Sequence, residues 1–370
     1  MRTLSVKDIE HFLYAAKVFG CGGGGSEQAA RSLIGEIYRS GLHIKLVDPS
    51  ELSKDALLFI LGLVGGGVER EYAEKVKHLK ETDAHPELTA FRMMCDYLGR
   101  RPTALVAPEL GPLNSVLPMY VAAINGIPVV DGDPCGRSKP EIAISTTHVA
   151  GIASTPIVAA NRYGDRIILA AAVDDYRAED LIRHFALLSG GRIGVARTPM
   201  SGQDVNYSII PGTFTKAIRV GREVEEARAK GEDPVSALVR AAGAYLVFEG
   251  EVLDFAREER GAFTWGDITL AGTSDFRERK MRIWYKNEYL ISYLDGEPYV
   301  TCPDILSVVD RETGEGLTPW EEDFRPGRKV AVIAAPCHEI WRTPRGLEIF
   351  GPRHFGFEIN YRPVEIIVRG

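Results

Sequence analysis

Residues 103–147 constrain the fold more than any other stretch. An apolar run at 104–107 breaks at Pro108-Glu109-Leu110-Gly111-Pro112. A helical pattern follows, in which Leu113, Val116, Leu117, Val121 and Ile124 share one face until Asn125-Gly126 stops it. A second apolar run at 127–130 then delivers Asp131-Gly132-Asp133-Pro134-Cys135-Gly136-Arg137. Two strands joined by a single helix lie parallel in one sheet, and parallel α/β sheets bind ligands beyond the carboxyl ends of their strands. Glu109 and the Asp131/Asp133 pair fall at two such ends. Three carboxylates, Asn114 and Arg137 are therefore expected to share one crevice.

Around this unit the sequence reads as an α/β N-terminal domain with a parallel sheet, residues 1–163. An α+β C-terminal region follows over 164–370, helical at first and β-rich from about 245, with a small barrel or sandwich. In the first domain Ser5 caps a helix whose stripe is Ile9, Phe12, Leu13 and Ala16, a pattern unlike a signal peptide. That helix ends at Gly20-Cys21-Gly22-Gly23-Gly24-Gly25, and a second helix starts at Ser26. Strands are expected at 43–47 and 56–64, the latter running into Gly65-Gly66-Gly67 and a helix over about 68–80. Pro86 opens another helix. Beyond the boundary, 165–173 and 192–196 read as strands, and 178–188, 213–230 and 234–242 as helices. The β texture then covers 246–255, 267–271, 281–286, 289–294, 305–309 and 329–334, with a last strand at 364–368.

The formal net charge is −7 and no Lys/Arg block stands out, which argues against nucleic-acid binding. No apolar run reaches the ~20 residues of a membrane span. Five cysteines without paired spacing suit a reducing cytoplasm. Six Asn and two Gln make thermolabile amides scarce and hint at a thermophile.

Glu109, Asp131, Asp133 and Glu141 are the candidate acids, bases or metal ligands, because carboxylates at strand ends can hold different pKa values and divide acid and base roles. The competing reading for each is a loop or helix cap. Asp131 and Asp133, two apart on an extended strand, would point to the same side, and changing either to Asn is expected to lower turnover at least ~100-fold. Gly22, Gly23, Gly24, Gly25, Gly66 and Gly67 precede helices and are expected to present bare N–H groups to an anion or a polar ring; a tight turn is the alternative. Arg137 is placed to clamp a substrate carboxylate. Cys21 and Cys135 are candidate nucleophiles or soft ligands with His148, His338 or His354. No His or Cys pair has metal-binding spacing, so a divalent metal is left open. The lack of a phosphate-loop Lys-Ser/Thr argues against a nucleotide cofactor. The expected partner is a small-molecule substrate, and self-association into a homo-oligomer is left open.

Several stretches in order carry a resemblance. They are GCGGGG at 20–25, PELG at 108–111, VVDGDPCGR at 129–137 with PE at 140–141, FEGEV at 248–252, NEYL at 287–290, PDILSVVD at 303–310 and GPRHFGF at 351–357. Over nearly the whole chain this order resembles the S-methyl-thiohydantoin desulfurase-like family, often discussed with hydantoinase/oxoprolinase proteins. The resemblance implies an α/β domain followed by a β-rich one, and hydrolysis of a carbon–sulfur bond in a sulfur-substituted hydantoin ring. It also raises, as the alternative, a non-catalytic ligand-binding or partner subunit of a hydantoinase/oxoprolinase-type enzyme.

Overall fold

In a computed structural model of the chain, residues 1–319 and 322–369 are described. The first half runs β1 (Arg2–Thr3), α1 (Val6–Phe19), α2 (Glu27–Arg39), β2 (Lys45–Val47), β3 (Leu57–Gly65), α3 (Arg70–Val76), α4 (Pro86–Leu98), β4 (Ala104–Val106), α5 (Pro112–Asn125), β5 (Val129–Val130), β6 (Gly132–Asp133), α6 (Thr146–Val149), β7 (Ile157–Ala160) and β8 (Arg166–Leu169). The second half runs α7 (Asp175–Leu188), β9 (Arg192–Ser201), α8 (Gly202–Ser208), β10 (Ile210–Pro211), α9 (Thr213–Ala229), α10 (Pro234–Ala242), β11 (Tyr245–Arg260), β12 (Phe263–Gly272), β13 (Lys280–Lys286), β14 (Glu288–Leu294), β15 (Glu297–Thr301), β16 (Ile305–Asp310), β17 (Lys329–Ala335), α11 (Pro344–Phe350) and α12 (Val364–Ile367).

The apolar runs on either side of α5 are parallel neighbours, with Leu105 beside Val129. Pro112 opens α5 at a position where a missing N–H costs nothing, and Gly126 closes it in the left-handed region. The eight-stranded sheet is ordered β1-β2-β5-β4-β3-β9-β7-β8. Its centre, β2-β5-β4-β3, is parallel, and β1, β9, β7 and β8 add antiparallel strands at its flanks. β9 pairs with β3 along nearly its whole length, so a strand from beyond residue 163 completes the N-terminal sheet.

The β-rich part is one seven-stranded antiparallel sheet, β15-β14-β13-β12-β11-β17-β16, curled into a half-barrel. Among the described residues its edge strands β15 and β16 do not pair, so the sheet curls without closing. One apolar core runs between the two halves: Phe12 and Phe19 of α1, Phe214 of α9 and Val308 of β16 belong to the same buried cluster. A capping box between Ser5 and Asp8 fixes the start of α1.

The strand expected at 364–368 is the short helix α12. Its β-branched residues misled, because Pro363 sets the turn and the Val364 N–H donates to buried Asp304 Oδ2 at 2.8 Å. No helix among the described residues is long and apolar enough to cross a membrane.

Candidate active site

A cleft of about 660 Å³ opens between the two halves. Its floor is the carboxyl end of β4 and the loop before α5. Glu109 Oε1 accepts a hydrogen bond from Asn114 Nδ2 at 2.8 Å, and Oε2 accepts the Lys139 backbone N–H at 3.1 Å. Asn114, three residues into α5, also uses its Oδ1 to accept the Leu63 N–H of β3 at 2.8 Å. The carboxylate is thus fixed by the first turn of α5, itself tied to β3, and by one loop, and its remaining lone pairs can face a ligand. The absence of a side chain at Gly62 matters here, since a Cβ would stand 2.6 Å from Pro108.

Lys139 lines the cleft and is only 7 % exposed; its Nζ donates to the Glu141 carbonyl at 3.1 Å. Burial, then the charge of Arg197, pull its pKa down to about 8, against the opposing pull of Glu109. Arg197 lies where the β3–β9 register shifts, next to Thr198 at φ 54°, and burial lowers its pKa to about 10. Arg183 of α7 donates to Glu179 Oε1 and to the Pro140 carbonyl, both at 2.8 Å, and lies over the Phe263 ring.

Glu141 also reaches the cleft. Its Oε2 is 2.7 Å from His354 Nε2, and its Oε1 is paired with Lys286 Nζ. Burial alone would raise its pKa, but the His354 bond and the Lys286 charge overcome this and hold it at about 2.

The half-barrel contributes the opposite wall through the turn Lys286-Asn287-Glu288. Asn287 sits at φ 59°, a left-handed conformation that Asn tolerates well. Its Oδ1 accepts the Thr264 N–H at 2.9 Å, which anchors the turn to β12. Asn287 and Glu288 both line the cleft. Glu288 is 3 % exposed, and its Oε2 is buried with no hydrogen-bond partner among the described residues.

The expected crevice is therefore corrected in its membership. Glu109, Asn114, Glu141, Gly24, Gly25, Gly66 and Gly67 line the cleft; Asp131, Asp133, Arg137, Gly22 and Gly23 do not. Asp131 turns to the start of α9, where its Oδ1 accepts the Thr215 N–H at 3.0 Å. Asp133 is fully buried and folds back on its own loop, its Oδ1 accepting the N–H groups of Cys135 (2.8 Å) and Gly136 (2.7 Å). Burial raises its pKa to about 6. The two aspartates do not share an orientation, because each meets a different set of backbone donors. Arg137 is buried as well. Its guanidinium joins the halves by donating to the carbonyls of Asp304 (2.6 Å), Tyr289 (2.7 Å) and Ser138 (3.0 Å), so no fork is left for a substrate.

The glycine turns are shaped chiefly by close packing. A Cβ on Gly22 would strike the Tyr289 ring at 2.6 Å, and one on Gly24 the Gly111 Cα at 2.5 Å. Gly66 N–H donates to the Gly191 carbonyl and Gly67 N–H to Thr264 Oγ1, so these two amides are already engaged. Cys21 and Cys135 are buried outside the cleft, and burial raises both thiol pKa values, which disfavours the thiolate that a nucleophile or a soft ligand needs. Among the described residues no three of His, Cys, Asp and Glu converge to hold a metal ion. The residues missed from sequence are Lys139, Arg183, Arg197, Lys286 and Glu288, while His354, named only as a ligand beside a cysteine, pairs with Glu141 instead. The signal for Glu288 was an Asn-Glu pair interrupting two apolar strand runs.

A family model described as S-Me-THD-like, N-terminal domain matches residues 7–171, and one described as S-Me-THD-like, C-terminal domain matches residues 173–364. No protein of curated function matches the chain. An X-ray crystal structure of a protein from Chromobacterium violaceum is similar over 98 % of this chain and 100 % of that one, with a TM-score of 0.76 at 24 % identity. That likeness shows a shared fold.

Proposed function

The chain belongs to the S-Me-THD-like family, and from that membership and the cleft we propose that it hydrolyses a small cyclic amide or amidine, cleaving the carbon–sulfur bond of an S-methyl-thiohydantoin to give a hydantoin. The observation that carries this reading is Glu109, a carboxylate held by Asn114 and the Lys139 N–H at the edge of a cleft wide enough for a five-membered ring. Glu109 acts as general base: it takes a proton from water as the water oxygen bonds to the ring carbon between the two nitrogens. The carbon–sulfur bond then breaks and methanethiol leaves. Lys139, Arg183 and Arg197 supply positive charge where negative charge develops on the ring nitrogen and the carbonyl oxygen conjugated with it. Five free thiols suit a reducing cytoplasm as the place of action.

The test is to incubate the purified protein with S-methyl-thiohydantoin and follow thiol with a thiol-reactive chromophore, alongside hydantoin by chromatography. Equal amounts of both products are expected. Ligand binding without thiol release would instead make the chain a binding partner of a hydantoinase/oxoprolinase-type enzyme.

A further inference from the structure

Glu288 is a carboxyl group that the fold goes to some length to bury and then leaves with an unused oxygen. It begins β14 directly after left-handed Asn287, and that backbone turn directs its side chain into the cleft wall. Gly23 lies against it so closely that a Cβ there would stand 1.8 Å from Oε1. Its Oε2 is buried and makes no hydrogen bond among the described residues. Neighbouring Lys286 is committed to Glu141, and among the described residues no ion pair reaches Glu288. A buried carboxyl oxygen without a partner carries a desolvation cost unless a ligand completes it.

We propose that Glu288 is the proton donor of this cleft, delivering its proton to the ring nitrogen next to the reacting carbon. This rests on the hydrolase reading above. Burial, then the negative charge of Glu109, push the Glu288 carboxyl well above the ordinary carboxylate range, although Arg137, Lys139 and Arg183 pull the other way. Glu288 therefore meets the substrate as the proton-bearing carboxyl beside the general base Glu109, and two carboxyl groups in different surroundings can divide acid and base roles in this way.

The step balances as follows. The Glu288 proton goes to the ring nitrogen of the C=N bond, so that carbon becomes electrophilic. Water adds to the carbon and gives one proton to Glu109. As the tetrahedral carbon collapses, its hydroxyl proton returns to Glu288 and a C=O bond forms. The methylthio group leaves with the electron pair of the C–S bond and takes the proton from Glu109. Both carboxyls regain their starting states, and the net change is water consumed, methanethiol and hydantoin released. Nothing is oxidised or reduced.

The experiment compares wild type and Glu288→Gln on two substrates: neutral S-methyl-thiohydantoin, and the analogue alkylated at that ring nitrogen, which is permanently cationic and needs no proton. Glu288→Gln keeps the shape and removes the acid. On the neutral substrate kcat is expected to fall at least ~100-fold, and on the cationic analogue to stay within about threefold of wild type. An infrared carboxylic-acid band at pH 7, present in wild type and lost in the variant, is the accompanying spectroscopic expectation. Equal losses on both substrates, an unchanged kcat on the neutral one, or a missing band would overturn the proton-donor role while the hydrolase reading survived. A wild type that releases no thiol from either substrate would overturn both.

Discussion

β4 and β5 are parallel neighbours, and each hands the chain to acidic residues at its carboxyl end; the outcomes differ completely. After β4, Glu109 stands where the half-barrel leaves a gap, and it is held by Asn114 with room for a ligand. After β5 the gap is filled. The loop 134–140 and the start of α9 lie over that strand end, and Asp131 and Asp133 bind the N–H groups these segments present. A strand-end carboxylate becomes available for chemistry only where a second structural unit fails to cover it. The strand end alone does not make it so.

The sharpest test of this contrast is a pair of charge-removing variants. Glu109→Gln is expected to lower turnover at least ~100-fold, the range for losing a positioned base, with its melting temperature little changed. Asp133→Asn should keep near wild-type turnover, since its oxygen can still accept from Cys135 and Gly136. Steady-state kinetics on S-methyl-thiohydantoin with melting curves decide it. If the two variants lose activity alike, the difference between the strand ends is not functional.

Much of the β4 side was legible in the residues. Apolar periodicity announced β4, α5 and β5, Pro112 and Gly126 marked the ends of α5, Glu109 stood out as a carboxylate at a strand end, and Asn114 and Glu141 stood out as polar groups near it. The opposite wall was not legible, because its parts come from distant segments. Arg197 reaches the cleft only because β9 inserts beside β3 with a shifted register at Thr198. Glu288 reaches it only because Asn287 turns left-handed. Lys139 is a single lysine in a loop, and no spacing distinguishes it from a surface lysine. The glycine run misled for a related reason: Gly22 and Gly24 are glycines because a ring and another backbone lie against them, which cannot be seen without the facing chain.

Glu141 extends the comparison to acid pH. Its pKa in the folded protein, about 2, lies below the ordinary glutamate value of 4.5. The stabilisation it provides is fully present above about pH 4.5 and is lost as pH falls toward 2, at most about 3 kcal/mol at roughly 1.4 kcal/mol per unit. Glu141→Gln should therefore be less stable than wild type at pH 7, and the two denaturation curves should converge below pH 4. Asp133, raised to about 6, should show the reverse trend. Its charge weakens the fold as pH rises from about 4 through 6, and Asp133→Asn should remove that slope. A Glu141→Gln protein whose deficit persists unchanged at pH 3 would mean that the His354 and Lys286 pairings do not stabilise the carboxylate.

Lys139 should trade stability for activity. Its pKa of about 8 lies below the ordinary lysine value of 10.5, so the buried charge burdens the folded state below pH 8, and the burden lifts between pH 8 and 10.5. Lys139→Met should stabilise the protein by about 1–2 kcal/mol at pH 7, the lost bond to the Glu141 carbonyl offsetting part of the gain. Wild type should approach the variant's stability as pH rises to 10, while the variant's turnover stays low throughout. A Met variant less stable than wild type at pH 7 would show that Lys139 is held by more than it loses to burial.

The smallest effect belongs to Asp131. The N-cap of α9 is Gly212, which has no side chain to cap with, and Asp131 supplies the missing acceptor from 84 residues upstream through the Thr215 N–H. Its second oxygen takes the Thr215 hydroxyl, which in turn accepts Arg2 Nη2 at 2.8 Å. Removing such a cap typically costs about 1 kcal/mol, so Asp131→Ala should lower the melting temperature by only about 1–2 °C in a chain of 370 residues. Asp131→Asn retains an acceptor and should lose less than half of that. Both variants should turn over substrate at the wild-type rate, because neither Asp131 nor Thr215 lines the cleft. A tenfold or larger drop in kcat for Asp131→Asn, with the melting temperature intact, would place Asp131 in the chemistry. The two strand ends would then work as one site.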